Sequence, residues 1–267
     1  METVTVDRLN VIISATKADF DKKINEVTHQ LDDMNDKIDK VGENSLGVFR
    51  NLASGLKALG IGAMIKSAIN LAGNLEQNIG GSESVFKDYA AVVQQTASTA
   101  ASSLGLSESK YLATANKMGA LFQGSGFSIA KSADMTTRAM QRASDVASIM
   151  GIEVDSAMEA VAGMAKGNFT MMDNLGVAIN DTNLQLYAHE KGLGKLETTQ
   201  QKVNAAMQMF IDKTDYAAGN YARENDTYSG ALTTLKAEFE NFAAEAGTAL
   251  LPLAQSVLPI ASQLLNE

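Results

Sequence analysis

Apolar residues recur every seven positions through the first part of the chain, where Val6, Ile13, Phe20, Val27, Met34 and Val41 form one column. Ile24, Leu31 and Ile38 form a second column, three residues ahead of the later members of the first. The alternating spacing of three and four is the a and d seam of a coiled coil. Asp32, Asp33, Asp36, Asp39 and Lys40 occupy the outer positions, as a solvated face requires. Earlier a positions hold Asn10 and Lys17, which weaken the seam while they can set register or strand number. A single amphipathic helix packed on its own domain needs only the stripe, so both forms stay open at this point.

Gly42 to Gly47 interrupts the heptads. A second helix is expected from Val48 to about Ile79, with a broad apolar face of Leu52, Leu56, Leu59, Met64, Ile65, Ile69, Leu71 and Leu75, and with Gly80-Gly81 ending it. Beyond it, helical stretches alternate with short punctuators. Glu83 to Leu104 reads as one helix stopped by Gly105, and Ser107 or Ser109 as the cap of the next, which reaches Phe122. Gln123 to Gly126 reads as a turn, Ser128 as the cap of a helix over Ile129–Met150, and Gly151 as its terminating glycine. Asp155 is expected to cap a short helix to Lys166, and Leu175 to Ile179 is a brief apolar run that suits extended backbone. Helices follow from Thr182 to about Lys191, from Thr198 to Tyr216, and from Ser229 to about Leu251, where Pro252 kinks or restarts the last. No run alternates long enough to build a sheet. The class is all-α: an N-terminal coiled-coil helix followed by a multi-helix module rich in Gly/Ala packing. The expected segments are a coiled coil over 1–43, a glycine-rich apolar helix over 44–81, a helical core over 82–228 and an amphipathic or apolar helix over 229–267.

Composition supports the helices, with two prolines, no tryptophan and thirteen methionines in 267 residues. The net charge of -9 and the lack of any basic run argue against a general nucleic-acid surface, which needs clustered Lys and Arg. Without cysteine there is no disulfide framework, thiolate metal site or thiol nucleophile. The acidic start, Met1 to Asp7, has no apolar signal core, so synthesis and residence in a reducing cytoplasm are the default expectation. Leu56 to Ala72 is broken by Lys57 and Lys66, and the charge-free Ala246 to Asn266 carries Pro252, Pro259 and several polar residues. Both read as buried or partner-facing helices rather than membrane spans.

Chemistry has no visible seat. His29 falls on the outer face of the heptads and His189 lies between Ala188 and Glu190, neither with a second ligand at metal-binding spacing. Gly126 to Ser132 has a lysine-serine pair, but Ala130 and Ser125 stand where a phosphate loop needs glycine. Gly60-Ile61-Gly62 and Gly192-Leu193-Gly194 lack the third glycine of a dinucleotide fingerprint. Glu153, Asp155 and Glu159 sit near a helix start, where the helix dipole explains acidic residues. No catalytic residue, metal ligand or cofactor is assigned.

Several stretches taken in order resemble phage tail tape-measure proteins, also called minor tail proteins, in their N-terminal and core region. They are Ile69 to Glu76 with Ser84-Val85-Phe86, Leu104 to Ser109, Met118 to Ser128, and Ala143 to Ser148. Lys166-Gly167-Asn168-Phe169 follows, then Leu175-Gly176-Val177-Ala178-Ile179, Leu184 to Gly192, Tyr221 to Thr227, and Leu232 to Pro252. Within them Gly167, Leu175, Gly176 and Val177 are the motif most like the family's. The resemblance implies a structural protein of the virion tail lumen, a scaffold and length ruler around which the tail tube polymerises. It implies self-association, contact with tail-tube protein and tail assembly chaperones, assembly in the bacterial host cytoplasm, and a host membrane as a further partner at infection. Specific nucleic-acid binding is not expected. Tape-measure proteins are usually far longer, because their length sets tail length, whereas 267 residues as one helix span only about 400 Å. A fragment or truncated product is therefore expected. The rival reading is a membrane-active helical protein, a pore-forming or DNA-ejection channel component. A cell-wall hydrolase fused to a tail scaffold would need catalytic groups that are not seen in this sequence.

Overall fold

In the computed structural model the described residues are 61–224, 230 and 233–248. Helix dominates them, with no strand among the described residues, so this part of the chain is all-α. The heptad segment, with Val6, Ile13, Phe20, Ile24, Val27, Leu31, Met34, Ile38 and Val41, lies outside the described residues.

Helix α1 spans Ile61–Phe86, α2 Ala90–Ser98, α3 Ala100–Leu104, α4 Glu108–Gly124, α5 Ile129–Met150 and α6 Val154–Ala165. A 3-10 segment at Thr170–Leu175 leads to α7, Asp181–Glu190, and α8, Thr199–Lys213; α9 is Asn220–Glu224, and a last helix, α10, covers residues 233–248. Two compact units divide the chain: one of residues 1–73 and 242–267, the other of Asn74–Asn241.

The larger unit is organised around α5. Ser132, Ala133, Met135, Thr136, Ala139, Met140, Ala143 and Val146 are all buried along it, too wide an arc for a surface helix. It packs against both α4 and α6, which also touch each other. Phe86, Tyr111, Phe122, Met118, Met164, Leu175 and Phe210 fill the space around it. Local signals set the ends of α5: Lys131 N donates to the Ser128 hydroxyl at 3.2 Å, and Gly151 terminates it at φ 64°. Reciprocal capping boxes start α7 at Asn180 and α8 at Thr198.

Several sequence expectations are corrected. Gly80-Gly81 does not end α1, which continues to Phe86. The Asn78 amide donates to the Ser109 carbonyl and hydroxyl on α4, and Asn116 of α4 donates to the Asn78 carbonyl. A Cβ on Gly81 would sit 2.6 Å from the Asn116 amide nitrogen, so this glycine serves a close helix contact rather than a stop. The helix expected over Glu83 to Leu104 is broken twice. Lys87 adopts φ 48° just after α1, which makes the first break. At the second, between α2 and α3, hydroxyls compete for the backbone: Ser98 donates to Gln95 O and Thr99 to Thr96 O. Asp155 is not a cap; α6 starts after Glu153, which makes no side-chain cap bond. Nor does Ser107 cap α4, whose Glu108 N–H donates instead to the Asn241 side chain at 2.7 Å.

In the smaller unit, Ala68 and Ala72 of α1 are buried, as are Ala243 and Ala244 of α10. A Cβ on Gly247 would collide with the Ala68 carbonyl and reach Ala72 Cβ at 3.0 Å, so the two backbones approach closely.

An ionic knot ties α7 to α8. The Tyr187 hydroxyl donates to Asp212 Oδ2 at 2.8 Å, and Lys191 Nζ reaches the same oxygen at 2.6 Å while lying 5.6 Å from the Tyr187 ring centre. Bonds from Lys191 and Tyr187 hold the Asp212 carboxyl below its ordinary 3.8. Burial, with the neighbouring carboxylate, pushes the Tyr187 phenol well above its ordinary 10.0. Asp212 therefore stabilises the fold fully above about pH 4, and that contribution is lost as pH falls through its lowered value. Tyr187 contributes fully below about pH 10, and its share is lost as pH rises through its raised value. Asp212→Asn is expected to lower the unfolding midpoint near pH 6 and to converge with wild type towards pH 2. A constant gap across that range, read by circular dichroism, would contradict the assignment.

Candidate functional site

The motif Gly167, Leu175, Gly176 and Val177 forms two chain reversals and the wedge between them. At the end of α6, Asn168 N donates to Gly163 O and Gly167 N to Met164 O, a Schellman pair with Gly167 at φ 85°. After the 3-10 segment the same pair recurs, Val177 N to Met172 O and Gly176 N to Asp173 O, with Gly176 at φ 71°. A Cβ at either position would be strained, and at Gly176 it would also sit 3.0 Å from Met150 Cε. Leu175, Val177 and Ile179 are buried in the core while Gly176 and Ala178 between them are exposed. The expected extended run is thus an alternating inside-outside segment without a ladder partner among the described residues.

A solvent-open groove of about 430 Å³ adjoins these turns, lined by residues that include Gly167, Phe169, Asn180, Thr199 and Lys202. The first turns of α7 and α8 meet there. Their capping boxes already occupy N–H groups that an anion would use, and Lys202 is paired with Asp181 at 2.7 Å. The groove offers neither a nucleophile beside a base nor clustered carboxylates. No group of three metal-ligating side chains is placed together among the described residues. No helix among them is long and apolar enough to cross a membrane. His189 lies in the last turn of α7.

The same turns border an exposed apolar surface. Met150 is 40% exposed and Tyr216 59% exposed, and both side chains approach Gly176. Ile149 beside them is 42% exposed. Large apolar and aromatic side chains left in water are what a protein contact uses.

Sequence reasoning passed over Asp145. It is 2% exposed on α5, and its carboxylate accepts the backbone N–H of Gly219 at 2.9 Å and of Tyr221 at 3.1 Å. A charge on the apolar side of Ala143-Ser144-Asp145-Val146-Ala147 was the available signal. Arg142, three positions before Asp145, reaches Ile211 O at 3.0 Å and so satisfies a carbonyl at the end of α8.

No protein-family model, curated protein or solved structure matches this chain.

Proposed function

We propose that this chain is a structural protein of a phage or phage-like tail, acting as scaffold and length ruler within the tail lumen during tube assembly. The ordered series of stretches from Ile69 to Pro252, centred on Gly167 and Leu175-Gly176-Val177, carries the reading. The heptads ahead of it support self-association through a coiled coil, and its small residues support a Gly/Ala-packed helical module. An all-helical body with capped helix ends and an exposed apolar surface at Met150 and Tyr216 suits docking on other proteins more than turnover of a substrate. Tail-tube protein and assembly chaperones are the partners in this reading.

Six heptads inserted in register between Lys40 and Val41, in the gene that encodes the chain, test it. Tails are expected to lengthen by about 60 Å, from 42 residues at about 1.5 Å each, as read by electron microscopy of the particles. Unchanged tails on viable particles that contain the protein would leave it an assembly role without measurement. Absence of the protein from particles would sink the tail reading. The apolar stretches Leu56 to Ala72 and Ala246 to Asn266 are compatible with the membrane-active alternative, and leakage from liposomes by the purified chain would promote it.

A further inference from the structure

The segment from Ala218 to Glu224 is built as a clip. It braces itself: Arg223 donates to the Ala218 carbonyl at 3.1 Å and to the Asn220 side-chain oxygen at 3.4 Å, across Gly219 at φ 70°. Its attachment to the rest of the unit is concentrated at few points. The Asp145 carboxylate accepts from Gly219 N and Tyr221 N, and the Asn220 amide donates to the Ser148 hydroxyl at 2.6 Å. Tyr221 is the one buried side chain of α9, and its ring fills the space that Gly105 leaves open: a Cβ there would collide with the phenol. Gly219, Ala222 and Arg223 face solvent.

Such an attachment differs in kind from that of α5 or α6. Those helices are held by continuous apolar burial, which is lost only when the unit unfolds. A five-residue helix has almost no stability of its own, and it is held by one aromatic ring, whose hydroxyl lies 3.4 Å from that of Thr234, by bonds to one carboxylate and by one bond to Ser148. The carboxylate is also hard to replace. It accepts two N–H groups that point inward, and Gln141 adds a third donor at 3.5 Å. An amide in its place would keep one acceptor but turn its NH2 donor towards the other of those N–H groups.

We propose that Asp145 is the catch of a releasable latch, from which residues 218–224 unclip as a unit while the helices around α5 stay folded. Release frees residues 218–224 themselves from their anchorage on α5. The inference does not rest on the tail reading.

Hydrogen exchange of the full chain, followed amide by amide in low denaturant, tests it on the wild-type protein. The Gly219 and Tyr221 amides are expected to exchange through an opening that is distinct from, and easier than, that of Ala147 on α5 or Ala162 on α6. In Asp145→Asn they are expected to exchange about tenfold faster or more, as loss of bonds to a charged acceptor implies, while Ala147 and Ala162 keep their rates. Asn220→Ala, which removes the Ser148 bond and the Arg223 contact but leaves the Asp145 bonds in place, is expected to show a smaller change of the same sign. Merged exchange of both groups of amides in the wild type would overturn the latch, because the segment would then open only with the whole unit. Unchanged rates at Gly219 and Tyr221 in a folded Asp145→Asn protein would show that the carboxylate is not the catch.

Discussion

Gly119→Leu is expected to destabilise the larger unit by about 3 kcal/mol or more, towards the upper end of overpacking effects. Gly119 lies inside α4, where replacing glycine with a better helix former would normally gain up to about 1 kcal/mol. Here the opposite sign follows from what the position faces. A Cβ would collide with the ring of Phe86, and Val85 Cγ1 lies 3.1 Å away. Phe86 is wholly buried, so its ring cannot swing into solvent to make room. Each kcal/mol should lower the thermal midpoint by about 2–4 °C in a unit of this size. Phe86→Ala alone creates a cavity costing about 3–5 kcal/mol. The double variant should be more stable than the sum of the two losses predicts, because the leucine takes up part of the vacated ring volume. Strict additivity would mean that the two side chains do not share that space.

Leu175→Ala should cost about 2–5 kcal/mol, the range for truncating a fully enclosed leucine. Leu175 has no exposed surface and joins Met172, Val177 and Ile179 in the core beneath the segment between the two glycine turns. Gly176→Ala, one residue on, should cost about 1–2 kcal/mol for a different reason, the left-handed backbone at φ 71°. Equilibrium unfolding in urea separates the cases. Both variants should shift the midpoint, Leu175→Ala further. A Leu175→Ala protein within 0.5 kcal/mol of wild type, the scatter of about that size found at surface sites, would show that the wedge is not part of the core.

These two sites mark where the sequence is informative and where it is not. The ends of α5 were legible because Ser128 and Gly151 act on their own helix within a few residues. Capping at Thr198 was legible for the same reason. The continuation of α1 through Gly80-Gly81 was not, because what outweighs the glycine penalty is Asn116 on another helix. The break at Lys87, where φ is 48°, gave no sign either, since lysine is a good helix former. At the candidate site, Gly167 and Gly176 stood out in sequence only as part of a resemblance. Their physical work is to turn the chain, and burial of Leu175 and Val177 follows from those turns. Asp145 escaped notice because its partners are backbone groups 74 and 76 residues away, and backbone donors leave no mark in composition. The exposed surface at Met150 and Tyr216 likewise joins residues that only the fold brings together.

The recurring glycine reversals also bear on how the chain acquires its shape. At Gly126, Gly167, Gly176 and Gly192 the same pair of backbone bonds turns the chain back within a few residues. Successive helices such as α4 and α5, or α7 and α8, therefore meet their nearest neighbours in sequence. Closing short loops costs little entropy, so these pairs can form early, while the ribosome is still adding residues behind them. Among the contacts that break this local order are Asp145 with Gly219, and Glu108 with Asn241, 133 residues apart. Both wait for the end of the unit to be synthesised, which makes closure of the C-terminal segment the last step in maturation of the body.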